Sequence, residues 1–175
     1  AATKLMDVAQ KSNPWLRPGM YNAANVYWKA GDFDRMLAAS RKLTAMDPNN
    51  PDEYQLLALA YQGKAKAARA AKDLKAENAY NDSLNVAFAA SENVKSKVTF
   101  EQFATGSGKP TLKGTIENIG TTPQKGTLKL QFVNLSGAPL STQTVDFSLA
   151  PKAKMPFSLT GEGNGIVGYR YDPIP

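Results

Sequence analysis

The side chains that most often do chemistry in proteins are missing from this chain. Its 175 residues include no histidine and no cysteine. That removes the commonest zinc, haem and iron–sulfur ligands, every disulfide, and every Ser-His or Cys-His nucleophile pair. Acid–base chemistry would fall to 15 carboxylates and 21 lysines and arginines. Asp32, Asp34, Asp52 and Glu53 stand where helices are expected to begin, and capping and the helix dipole account for them there. No Ser-x-x-Lys spacing occurs, so a serine–lysine nucleophile lacks its usual arrangement. Gly106-Ser107-Gly108-Lys109 shares residue types with a phosphate loop. The span is wrong, however, Pro110 follows the lysine, and a strand pattern comes next instead of a helix. Gly161-Glu162-Gly163-Asn164-Gly165 lacks the following helix that a dinucleotide site needs and reads as a flexible hairpin.

Charge and length narrow the setting further. The formal charge is +6, with 13 basic and 10 acidic residues in 1–96 and 8 and 5 in 97–175. Each half is thus +3, and no basic arm of the kind nucleic-acid binding uses is present. The densest basic run is Lys64, Lys66, Arg69, Lys72 and Lys75. It reads as the solvated face of a long helix or as a patch for an acidic partner or lipid headgroups. No bulky apolar residues face those lysines, which argues against insertion into a membrane. No apolar run approaches the ~20 residues that span a bilayer. The start at Ala1-Ala2-Thr3, without methionine, fits a mature end left by a signal peptidase.

The elements that must position any binding residue begin with helices. Asn13-Pro14 and Arg17-Pro18 suit a helix start, where a missing amide proton costs nothing. Met20, Ala23, Ala24 and Tyr27 fall at i, i+3, i+4 and i+7, one face of a helix. Gly31 ends it and Asp32 can cap the next, whose buried stripe is Met36, Ser40 and Leu43, up to Asp47-Pro48-Asn49-Asn50-Pro51. A second unit starts with Tyr54, Leu57, Ala58 and Tyr61. It does not turn at Gln62-Gly63 but continues in strong helix formers to Lys72-Asp73-Leu74, about two helical turns later. Tyr80, Leu84, Ala87 and Phe88 are expected to line the last helix, and the segment 1–16, with Leu5, Val8 and Trp15, to supply an extra packing helix.

Residues 17–50 resemble one tetratricopeptide repeat (TPR), with Tyr27, Gly31, Phe33 and Pro48 at pattern positions and small Ala24 at the helix crossing. Met20 replaces the typical tryptophan. The resemblance implies protein or peptide binding on the concave face lined by the first helix of each repeat. By position, that face would carry Tyr21, Asn25, Trp28 and Lys29 from the first repeat and Gln55, Leu59 and Gln62 from the second. Asn25 matches the asparagine with which peptide-binding members hold a ligand backbone. The rest of their carboxylate-binding set is absent here.

From Lys97 the pattern alternates instead. Val98 and Phe100, Leu112 to Ile116, Leu128 to Phe132, Val145 to Leu149, Met155 to Leu159 and Val167 to Tyr171 make six runs of period two. Turn signals separate them, as in an antiparallel sandwich. L-K-G-T-I-E-N-I-G at 112–120, L-Q-F-V-N-L-S-G-A-P-L at 130–140, D-F-S-L-A-P-K at 146–152, F-S-L-T at 157–160 and V-G-Y-R-Y at 167–171 resemble the FxLYD class of bacterial envelope domain. That class has an immunoglobulin-like sandwich and no general activity. Its signature reads F-V-N-L-S here.

The expected architecture is therefore a two-domain α+β chain. A TPR-like helical domain spans 1–94 and an immunoglobulin-like antiparallel β-sandwich spans 95–175. The expected role is a non-enzymatic protein–protein interaction scaffold, an extracytoplasmic accessory subunit of a larger membrane-associated complex. Its partners would be other protein subunits, with peripheral membrane contact allowed and no nucleic acid, metal or cofactor. The periplasm or cell envelope is the expected location. The alternative is a module binding a small ligand, lipid or glycan in a pocket between the two domains.

Overall fold

A computed structural model of the chain describes residues 2–105 and 109–175. Five helices come first: α1 (Ala2–Ser12), α2 (Arg17–Lys29), α3 (Phe33–Met46), α4 (Pro51–Ala70) and α5 (Leu74–Asn93). Six strands follow: β1 (Ser96–Ala104), β2 (Thr111–Asn118), β3 (Gln124–Val133), β4 (Pro139–Leu149), β5 (Lys154–Thr160) and β6 (Gly168–Tyr171). The fold is α+β. The chain divides into two compact units, one comprising residues up to Ala45 with Pro51–Asn93, the other Met46–Asn50 with Val94–Pro175.

In the helical unit, the i, i+3, i+4, i+7 stripe of α2 becomes its core face: Met20, Ala23, Ala24 and Tyr27 are all buried. At Gly31 the backbone turns left-handed, φ +69°. The Asp32 N–H then donates to the Tyr27 carbonyl and the Gly31 N–H to the Trp28 carbonyl, which satisfies the last carbonyls of α2. Asp32 caps α3 by accepting from the Arg35 N–H at 3.2 Å. The α4–α5 turn repeats this geometry. Asp73 N–H donates to Ala68 O, Lys72 N–H to Arg69 O, and Asp73 Oδ1 accepts from the Ala76 N–H at 3.0 Å. Helix α4 has 20 residues against 13 in α2. The surplus is close to two whole turns, so its apolar stripe stays in phase.

Met36, Ser40 and Leu43 of α3 are fully buried, as their spacing predicts. Gly63 of α4 lies against the Phe33 ring, in space a Cβ would need. Two polar ties join the same helices, Lys64 to Asp34 and Arg41 Nη2 to the Tyr61 hydroxyl at 3.0 Å.

The segment before α2 does form a helix, but it turns the other way from expectation. Leu5 and Val8 are 67% and 62% exposed. The reason lies in α2, whose buried Tyr27 hydroxyl needs hydrogen-bond partners; α1 turns Asp7 toward it as acceptor and Gln10 as donor instead. Similarly, Ala87 of α5 is buried while Phe88 is half exposed, because Glu77, Ala87 and Ser91 take the inward positions.

The strand unit holds two antiparallel sheets, ordered β1-β2-β5 and β4-β3-β6. All six alternating runs are strands, and their buried members from both sheets make one cluster, including Val98, Leu112, Ile116, Leu130, Phe132 and Phe157. Phe100 of β1 packs its ring against Phe157 of its own sheet and against Tyr169 and Tyr171 of the other. Gly114 sits mid-strand because the Thr99 carbonyl oxygen and the Phe157 ring occupy the place of its side chain. The glycine-rich 161–165 segment is no hairpin: it leads from β5 in one sheet to β6 in the other. Of the Gly-Ser-Gly-Lys loop, Gly106, Ser107 and Gly108 lie outside the described residues, and strand β2 follows Pro110.

Candidate functional site

The residues assigned to recognition occupy two helix faces. On α2, Tyr21, Asn25, Trp28 and Lys29 lie at i, i+4, i+7 and i+8, opposite the buried stripe. Burying Met20, Ala23, Ala24 and Tyr27 leaves these four on the outer side by helical geometry alone. Tyr21 is 42% and Trp28 48% exposed, and Lys29 is exposed as well. Asn25 is half-buried and donates its Nδ2 to the Tyr21 carbonyl at 3.0 Å. That bond fixes the carboxamide on its own helix, with the amide oxygen left as an acceptor. On α4, Gln55, Leu59 and Gln62 lie at i, i+4 and i+7, and all three are exposed. The α2 face presents two aromatic side chains between hydrogen-bonding groups, a composition suited to protein contacts.

On the buried side of α2, the electrostatics are organised by a side-chain cluster whose pairing the sequence does not announce. The Tyr27 hydroxyl donates to Asp7 Oδ1 at 2.6 Å. Arg35 ion-pairs with Asp7 at 3.6 Å and Asp32 at 3.1 Å. Burial first, then the Asp7 carboxylate, pushes the Tyr27 hydroxyl up to about 12. Three helices are tied at this point. No sequence signal marks it, since Asp7 and Tyr27 are 20 positions apart.

The basic run 64–75 is partly neutralised within its own unit. Lys64 binds Asp34, and that hydrogen bond holds its ammonium above the usual lysine range; it also sits 5.4 Å from the Tyr80 ring centre. Arg69 pairs with Glu77 at 2.6 Å. Lys66, Lys72 and Lys75 remain as surface charges. The helix-start carboxylates are likewise in structural use, Asp32 as a cap and Asp34 as the partner of Lys64. Among the described residues, no three carboxylates converge in a way that could hold a metal ion. No described helix is long and apolar enough to cross a membrane.

No family model and no curated protein matches the sequence. A comparison of folds finds a crystal structure of a DUF1425 family member from Shewanella sp. pv-4, at 16% identity. The match covers 44% of this chain and 74% of that one, with a TM-score of 0.39. A likeness that weak carries no argument about fold or function.

Proposed function

We propose that this chain is a non-enzymatic scaffold that binds other proteins, working as an extracytoplasmic accessory subunit of a larger membrane-associated complex. The α2 face of Tyr21, Asn25, Trp28 and Lys29 carries the proposal. Two large aromatic side chains, Tyr21 and Trp28, stand roughly half exposed on one helix whose other side is buried. Aromatic anchors on a rigid element are where binding energy concentrates in protein interfaces. Gln55, Leu59 and Gln62 make a second contact face, on α4.

The finer architecture belongs to the same proposal. The helical domain, 1–94, is a short TPR-like array, and the shared turn geometry of α2–α3 and α4–α5 supports that assignment. The domain from 95 to 175 is an immunoglobulin-like sandwich of the FxLYD kind, supported by two antiparallel sheets with one common cluster of buried residues. Its edge strands offer a second mode, addition of a partner strand. Placement in the periplasm or cell envelope rests on that resemblance and on the lack of cysteine.

The test is co-purification from native membranes in mild detergent, with amine-reactive cross-linking and mass spectrometry. Lys29 supplies a reactive amine inside the proposed face. Reproducible cross-links from Lys29 to one stable complex, lost on Trp28→Ala with Tyr21→Ala, are the expected result. Recovery as a free monomer without cross-linked protein would refute the subunit role.

A further inference from the structure

An apolar cleft of about 290 Å3 runs between α4 and α5, lined by Tyr54, Leu57, Tyr61, Val86, Ala87 and Ala90. On α4 the lining residues follow i, i+3, i+7, a different face from Gln55, Leu59 and Gln62. Val86 lines the cleft and is 70% exposed. Ser83 and Asp82 stand at the rim. The Ser83 hydroxyl is committed to the Ala79 carbonyl at 2.9 Å. Asp82 is the charged residue of the lining, and Arg41 holds the hydroxyl of the lining Tyr61 at 3.0 Å.

Asp82 differs from every other described carboxylate of the helical unit. Asp7 takes the Tyr27 hydroxyl, Asp32 and Asp73 cap helices, Asp34 holds Lys64 and Glu77 holds Arg69. Asp52, Glu53 and Glu92 are engaged as well. Among the described residues, Asp82 is thus an exposed carboxylate without a partner at an apolar cleft, open to a cation brought from outside. The volume falls just short of the ~300–1,000 Å3 that encloses small ligands, so the cleft suits a side chain presented from outside.

We propose that the α4–α5 cleft docks a segment of a partner protein that inserts one bulky apolar side chain between Tyr54 and Val86 and sets a lysine or arginine against Asp82. This is helix-in-groove recognition, with the apolar residue giving affinity and the basic residue fixing register.

Two amphipathic helical peptides of one pattern, Leu/Lys and Leu/Glu, titrated into the isotope-labelled full chain, test it by amide chemical shifts. The Leu/Lys peptide should shift residues 54–61 and 82–90, and the Leu/Glu peptide should not. Attraction to the overall positive charge predicts the opposite order, so the preference isolates Asp82. Asp82→Asn should weaken binding about two- to fivefold, an effect that fades with salt. Val86→Asp should weaken it by about tenfold or more, through a charge placed in the apolar seat. Both positions are exposed, and unchanged melting would show that neither variant perturbs the fold. Three results would overturn the proposal: preference for the Leu/Glu peptide, binding indifferent to both substitutions, or octylamine shifting these residues while neither peptide does.

Discussion

Asn49 and Ile174 close on each other through both of their polar groups. The Asn49 Nδ2 donates to the Ile174 carbonyl at 2.8 Å, and the Ile174 N–H donates to Asn49 Oδ1 at 2.8 Å. The same Nδ2 reaches the Ser96 carbonyl at 3.0 Å, and the Asn49 backbone N–H donates to the Tyr171 hydroxyl. Asn49 is buried, and Ile174 joins the strand-unit core. One carboxamide thus ties the 46–50 segment, the start of β1 and the tail after β6 into one unit.

Asn49→Ala should therefore cost about 3 kcal/mol or more, since it orphans buried backbone groups at Ile174 and Ser96 together. Urea unfolding reads the loss. Hydrogen exchange at Ile174 should rise by more than at Leu130 in the central strand, because the tail would be released first. Equal protection at Ile174 in both proteins would show that the tail is held by its apolar contacts alone.

Tyr27 makes stability depend on alkaline pH. Its hydroxyl ionises near 10 when unfolded and is pushed up to about 12 in the fold, by burial and then by Asp7. Between those values the unfolded chain loses the proton first, so folding stability falls as pH rises from 10 to 12 and is untouched by this group below 10. Tyr27→Phe should flatten that part of the decline. At neutral pH it should cost about 1.5–3 kcal/mol for a lost hydrogen bond to a charged acceptor. Denaturant melts of both proteins at pH 9 and pH 11 provide the comparison. A decline of equal size in both would place the sensitivity elsewhere.

Gly63 and Phe33 share one space, so their substitutions should couple. Gly63→Ala forces the ring aside, at a cost of about 1–3 kcal/mol for overpacking. In a Phe33→Ala background the same methyl should cost less, because the ring is gone. A double-mutant cycle measures the difference, and additivity would mean that the ring is not the source of the cost.

Much of this architecture is legible in the residues. A strand with one buried face must alternate, so Leu128, Leu130 and Phe132 announce β3. A helix against a core must repeat at 3.6, so Met20, Ala23, Ala24 and Tyr27 announce α2 and, by elimination, its outward residues Tyr21, Asn25 and Trp28. Long-range polar pairing has no such period. Asn49 reads as part of a break between helices, and nothing local says that Ile174 will claim its carboxamide. Leu5 and Val8 point outward because Tyr27, in another helix, needs an acceptor from Asp7. The partnerless state of Asp82 is invisible in sequence too, since it depends on where every other cation has gone.

The two helical turns offer a controlled comparison of backbone cost. Gly31 and Lys72 hold φ of +69° and +59°, and each is followed by an aspartate cap with the same pattern of turn hydrogen bonds. A side chain in that region costs about 1–2 kcal/mol through its Cβ, while glycine pays only in unfolded-state entropy. Lys72→Gly should therefore stabilise the chain by about 0.5–1 kcal/mol, and Gly31→Lys should destabilise it by a similar amount. The two sites share no partner, so the double variant should melt close to the parent. Thermal and urea unfolding of all four proteins would settle it. A loss of stability from Lys72→Gly would mean that the lysine side chain contributes more to the α4–α5 turn than its backbone strain takes away.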